Sequence, residues 1–86
     1  MVTNNEALGR AIAAMRAERG LGRRTLAELA GISYPYMSEV ENGTKRMTVD
    51  RLMDIAIALN VGPSRILDYA AEIAAQQSRL EATGVK

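Results

Sequence analysis

The sequence has no cysteine, no histidine, no tryptophan and no phenylalanine. Without cysteine there is no disulfide, no thiolate metal site and no thiol nucleophile, which fits a reducing compartment. Without histidine the chain lacks the usual general base and the usual zinc ligand. No carboxylate cluster lies at metal-ligand spacing, and no glycine-rich loop is built to cradle phosphate. An enzyme is therefore not expected, nor a metal, a cofactor or a small-molecule ligand. No apolar run approaches the ~20 residues of a membrane span. The first ten residues, MVTNNEALGR, lack the basic and then apolar segments of a signal peptide, so a cytoplasmic protein is expected. The 86 residues suffice for one small domain with a marginal core.

What is present is unevenly spread. The net charge is only +1, but residues 10–51 carry eight arginines and lysines against five carboxylates, whereas residues 52–86 carry three against four. Positive charge concentrated in one half is the footprint that binding to phosphates requires, although an excess this small also suits a solvated surface.

The positive half contains LAELAGISYPYMSEVENG, residues 26–43. Leu26, Leu29 and Ala30 fall on one face of a helix that Gly31 stops, because glycine adopts the left-handed conformation without a Cβ clash. Ile32 plugs the corner. Ser33 is a good N-cap for a second helix over 34–42, with Pro35 tolerated in its first turn. Met37, Val40 and the stem of Glu41 form its inward stripe. Tyr34, Pro35, Tyr36, Ser38 and Glu39 then point elsewhere. The pattern is a helix-turn-helix, whose second helix enters the DNA major groove.

The flanking segments complete an all-α chain of five helices. Thr3 to Glu6 matches a capping box for a first helix over about 4–19, with Leu8, Ala11, Ile12 and Met15 inward and Gly20 ending it. Gly22 caps a second helix over 23–30. Arg23 and Arg24 open that helix, where the dipole disfavours cations unless a phosphate sits nearby. Thr48 caps a fourth helix over 49–59, with Leu52, Ile55, Ala56 and Leu59 inward and Asn60 at its end. Pro63 starts a fifth helix that reaches about residue 82.

This set of residues resembles the lambda-repressor/Cro-like helix-turn-helix family, the xenobiotic-response-element family of bacterial and phage transcriptional regulators. The match runs from Leu8 to about Leu67 and includes Leu8-Gly9, Met15-Arg16, Leu26-Ala27, Ala30 to Ser33, Tyr36 to Ser38 and Val40 to Gly43. The resemblance implies a five-helix DNA-binding domain over 1–68. It implies base reading by Ser33, Tyr34, Pro35 and Glu39. Contacts to the DNA backbone would come from Arg23, Arg24, Tyr36, Ser38, Asn42, Thr44, Lys45 and Arg46. It further implies a partly buried ion pair between Arg16 and Glu41 that ties the first helix to the third. One departure is Gly22-Arg23, where the family usually has serine or threonine followed by glutamine. Another is the reading face, which has no Arg, Lys, Asn or Gln, so bidentate pairing to guanine or adenine is absent. Glu39 accepting from a cytosine N4 group, hydroxyls and apolar contact with thymine methyls remain, alongside readout of DNA shape.

Beyond the matched region, Ile66, Ala70, Ile73, Gln77 and Leu80 repeat at 4-3-4-3 spacing, a short coiled-coil seam. Ile66 and Leu67 are expected to close the core. Residues 69–82 then read as a dimerisation extension using Ala70, Ile73, Gln77 and Leu80; a helix folded back on its own domain is the alternative. Residues 83–86 read as a disordered tail. The expected function is a homodimeric repressor of double-stranded DNA sites. The alternative is an antitoxin-like or anti-regulator module that grips another protein through the same scaffold.

Overall fold

Side-chain caps and left-handed stops divide the chain into helices. The computed structural model describes residues 4–83. It contains α1 (Asn5–Glu18), α2 (Arg23–Ala30), α3 (Tyr34–Asn42), α4 (Val49–Leu59) and α5 (Pro63–Thr83), with no strand among the described residues. The Ser33 hydroxyl accepts the Tyr36 N–H at 3.1 Å, and the Thr48 hydroxyl accepts the Arg51 N–H at 3.2 Å. Each satisfies a donor that the first helical turn leaves orphaned. Gly22 takes the same extended conformation before α2 but offers no side chain. Gly31 and Asn60 close α2 and α4 in the left-handed region, at φ 72° and 61°.

The start of α1 differs from the capping-box expectation. Asn4 is the N-cap: its side-chain oxygen accepts the Ala7 N–H at 2.6 Å. The Asx cap one residue later satisfies the third helical N–H directly, so Glu6 is not needed there. Glu6 pairs instead with Arg10, one turn on, at 3.2 Å. Thr3 and residues 84–86 of the expected tail lie outside the described residues.

The core is shared by all five helices. Ile12, Met15, Leu26, Met37, Val40, Ile55, Leu59 and Ile66 are its large, fully buried members. α1 packs against α5 and α3, and α2 against α4 and α3, so α3 is held from two sides. The α1–α3 approach is close enough to require Gly9. A Cβ there would overlap the Val40 carbonyl oxygen and stand 2.7 Å from that of Glu41. Gly43 serves the same contact from the other side: it takes φ 79°, and a Cβ would lie 2.8 Å from the Glu6 Cα.

Two inward assignments and one outward one are corrected. Leu29 is 59% exposed. The buried positions of α2 are Leu26, Ala27 and Ala30, and Leu29 lies about 110° around the helix from their centre. Leu67 is 40% exposed, so of the two only Ile66 enters the core. Ala70, expected at a dimer seam, is completely buried within the monomer, and Ala74 nearly so. Both lie on the face of α5 that covers the core, where small residues allow helices to approach. Ile73 is half-buried beside them, as is Gln77, while Leu80 is 52% exposed. The first half of the expected extension thus belongs to the domain's own packing.

Candidate nucleic-acid interface

Orientation of α3 is set by one buried carboxylate. The Glu41 side chain is 1% exposed. Burying a carboxylate is costly unless charge and hydrogen bonds compensate. Two arginines do so. Arg16, from α1, donates from Nε to Glu41 Oε2 at 2.7 Å and from Nη2 to Oε1 at 3.1 Å. Its remaining nitrogen donates to the Leu21 carbonyl at 2.8 Å. Arg23, from α2, donates from Nε to Glu41 Oε1 at 2.9 Å. One residue of α3 is therefore fixed to both helices that flank it. The hydrogen bond to Glu41 raises the Arg16 guanidinium above its ordinary range, against the opposing effect of burial. Arg16 therefore stays charged wherever the protein is folded near neutrality.

The ion pair between Arg16 and Glu41 is present in the fork geometry that the resemblance implies. Arg23 is a second arm that the sequence did not reveal. It also donates to the Ser38 hydroxyl at 3.3 Å, so Arg23 and Ser38 face each other. The Arg23 charge is thus shared with Glu41, while the Ser38 oxygen accepts here and keeps its hydroxyl hydrogen to donate. The Thr44 hydroxyl and its backbone N–H both donate to the Glu39 carbonyl, at 3.3 and 3.0 Å, and so close the end of α3.

The outward face of α3 carries Ser33, Tyr34, Pro35 and Glu39, all exposed, with Tyr36 half-buried at its edge. The Ser33 oxygen accepts as a cap, which leaves its hydroxyl hydrogen to donate. Arg24 lies over the Tyr34 ring, 4.4 Å from its centroid. Such a stack is worth about 0.5–1 kcal/mol at an exposed site and holds both groups in place. Lys45 approaches Glu39 Oε1 at 3.7 Å and the Tyr36 ring centroid at 5.8 Å. Asn42 and Arg46 are exposed just beyond. The structure thus gathers Tyr34, Pro35, Tyr36 and Glu39 with Arg24, Lys45 and Arg46 around one outward helix. Exposed cations beside an exposed carboxylate suit a surface that exchanges internal pairs for phosphates.

Sequence reasoning also missed Arg19. It donates from Nε to the Leu59 carbonyl at 2.8 Å, tying the end of α1 to the C-terminus of α4, where a cation is favoured. A cation placed just before the glycine stop of a helix was the available signal.

Among the described residues, no group of His, Cys, Asp or Glu is placed to hold a metal ion, and no helix is long and apolar enough to cross a membrane.

Comparison with known proteins places the chain among helix-turn-helix proteins. The family model of the Cro/C1-type HTH DNA-binding domain matches residues 11–72. Two curated HTH-type transcriptional regulators of Mycobacterium tuberculosis, both described as uncharacterized, are 42% identical over 53 residues, 62% of this chain. The chain spans 38% of the length of those relatives. Among solved structures, the clp gene regulator ClgR from Corynebacterium glutamicum superposes with a TM-score of 0.90 at 35% identity, covering 93% of this chain and 85% of ClgR. The restriction-modification controller protein C.AhdI from Aeromonas hydrophila superposes with a TM-score of 0.71 at 27% identity, covering 72% of this chain and 94% of its own.

Proposed function

Because the chain belongs to the Cro/C1-type helix-turn-helix DNA-binding family, we propose that it reads specific double-stranded DNA sites as a homodimer and represses transcription by occupying them. The observation that carries this reading is the Glu41 clamp. Arg16 and Arg23 fix α3 from behind, and the helix turns Tyr34, Pro35 and Glu39 outward among Arg24, Lys45 and Arg46.

Base reading in this proposal falls to Tyr34, Pro35, Glu39 and the Ser33 hydroxyl. Glu39 accepts from the N4 amine of a cytosine, and the ring and pyrrolidine meet thymine methyls. The Lys45 ammonium moves from Glu39 to a phosphate as Glu39 engages the base. Arg24, Lys45, Arg46 and Asn42 hold the sugar-phosphate backbone and set the register of the helix without reading sequence. With so few base contacts, DNA shape contributes a large share of discrimination. Two copies present two such helices to successive major grooves about one turn apart. Repression follows from steric exclusion at an overlapping promoter.

Selection from random duplex DNA tests the reading. An enriched inverted repeat with half-site centres roughly 34 Å apart is the expected result. Recovery of duplexes with no common sequence, bound only at low salt, would contradict it.

A further inference from the structure

The outer face of α4 carries aliphatic side chains that the fold does not use. Val49, Met53 and Ile57 are 71%, 46% and 75% exposed. They recur every four residues and form one stripe about 12 Å long. The core face of the same helix is already filled by Leu52, Ile55, Ala56 and Leu59. An amphipathic surface helix needs one apolar face, and α4 has two. Charge is arranged to match. Asp50, Arg51 and Asp54 lie in the first half of α4, with Arg51 paired to Asp54 at 2.9 Å, while residues 55–64 carry no charged side chain. Met53 and Ile57 also line an open groove with Tyr36 and Thr48, whose other walls are the charged Asp50, Arg51 and Asp54, so the stripe meets the edge of the reading face along a polar rim.

We propose that this stripe is the surface on which a second copy of the chain docks, with the two α4 helices antiparallel and crossing at Met53. The inference rests on the homodimer reading above and assigns its surface to α4 in place of the far end of α5. The stripe is complementary to itself. Val49 and Ile57 stand equally far from Met53, so an antiparallel partner sets its Ile57 against Val49 and its Val49 against Ile57, an isologous contact. The charged half of each helix then faces the uncharged half of the other, and no like charges oppose along the stripe. The stripe alone is smaller than a stable interface needs, so the remaining area comes from its rim. Burying the exposed parts of three such side chains removes roughly 200 Å² per copy, about a quarter of the ~800 Å² in a standard interface. The stripe is the apolar centre, its rim is polar, and DNA completes the assembly.

Sedimentation of the full chain across a concentration series, with binding to duplexes carrying one or two half-sites, tests this. Ile57→Glu is expected to give a monomer with unchanged helical circular dichroism. It should keep its affinity for one half-site and lose the gain from the second. Adding Val49→Lys to Ile57→Glu sets opposite charges face to face only in the antiparallel register, and is expected to restore the dimer. Leu80→Glu should leave the dimer intact. An Ile57→Glu chain that stays dimeric, or a dimer dissolved by Leu80→Glu instead, overturns the α4 surface. A double variant that stays monomeric overturns the register. A wild-type chain that is monomeric and gains nothing from a second half-site overturns the dimer reading and this surface together, while selective binding to one half-site would leave the reading face standing. A dimer dissolved by Ile57→Glu in a chain without sequence preference would do the reverse.

Discussion

Glu41 and Glu39 stand two residues apart on the same helix and do opposite work. The Glu41 side chain is 1% exposed and held by two arginines at 2.7 and 2.9 Å. The Glu39 side chain is 53% exposed with one lysine at 3.7 Å. The first lies where desolvation makes every unmet hydrogen bond expensive, so its partners are fixed by the fold. The second lies in water, where a pair at that distance contributes little and is readily exchanged. Burial, not residue type, separates the carboxylate that positions α3 from the one left exposed on its outer face.

The largest expected effect is at the buried member. Glu41→Ala leaves two arginines facing an apolar gap and should destabilise the domain by about 3 kcal/mol. Urea denaturation reads this directly, and a loss below ~1 kcal/mol would dissolve the contrast with Glu39. Gly9→Ala attacks the same contact from α1, by driving a Cβ into the backbone of Val40 and Glu41. A cost of roughly 1–3 kcal/mol is expected, and a melting temperature equal to wild type would show that α1 and α3 need not approach so closely.

The two arginines sharpen the comparison further. Arg16→Ala should cost more than Arg23→Ala, since their side chains are 18% and 32% exposed and Arg16 donates twice to Glu41. Equal losses would mean that the two arms are equivalent. The pH dependence has a defined sign. Arg16 is raised in the folded state, so its contribution is complete below the unfolded value and fades only as pH rises through the folded one. The stability difference between wild type and Arg16→Ala should therefore be flat between about pH 6 and 9. A steady decline across that window would remove the charged pair from the account.

At the exposed member the expected effects move from stability to recognition. Glu39→Ala should change stability by less than ~0.5 kcal/mol and relax preference at one base pair by about 1 kcal/mol. Undiminished discrimination at every position would remove Glu39 from the reading set. The smallest effect is on salt dependence. Arg46→Ala should flatten the slope of log K against log salt by roughly one unit. Arg23→Ala should flatten it less, because that charge is already committed to Glu41. A full unit for Arg23 would restore it as a phosphate ligand.

Much of the fold was readable because its signals are local. Ser33, Gly31, Thr48, Asn60 and Pro63 mark helix ends through backbone rules that need no tertiary context. The pairing of Arg16 with Glu41 was reached through resemblance, since 25 residues separate them in the chain. The second arm from Arg23 was not legible, because an arginine at the start of a helix looks equally ready for a phosphate or a carboxylate. Ala70 was misplaced for a related reason. A 4-3-4-3 repeat states that one face is apolar, not whether that face meets its own domain or another copy. Val49, Met53 and Ile57 were visible at regular spacing, yet only their burial state distinguishes a second apolar face from a continuation of the first. Thr44 likewise has a role the sequence did not show: its hydroxyl donates to the Glu39 carbonyl at the end of α3.

The most direct test of the central claim is an amide chemical-shift map of the full chain on titration with the selected duplex. The account predicts the largest changes over residues 33–39 and 44–46 and at Arg24, with smaller ones across the first half of α1 and the body of α5. Changes concentrated on α5, with residues 33–39 undisturbed, would contradict it.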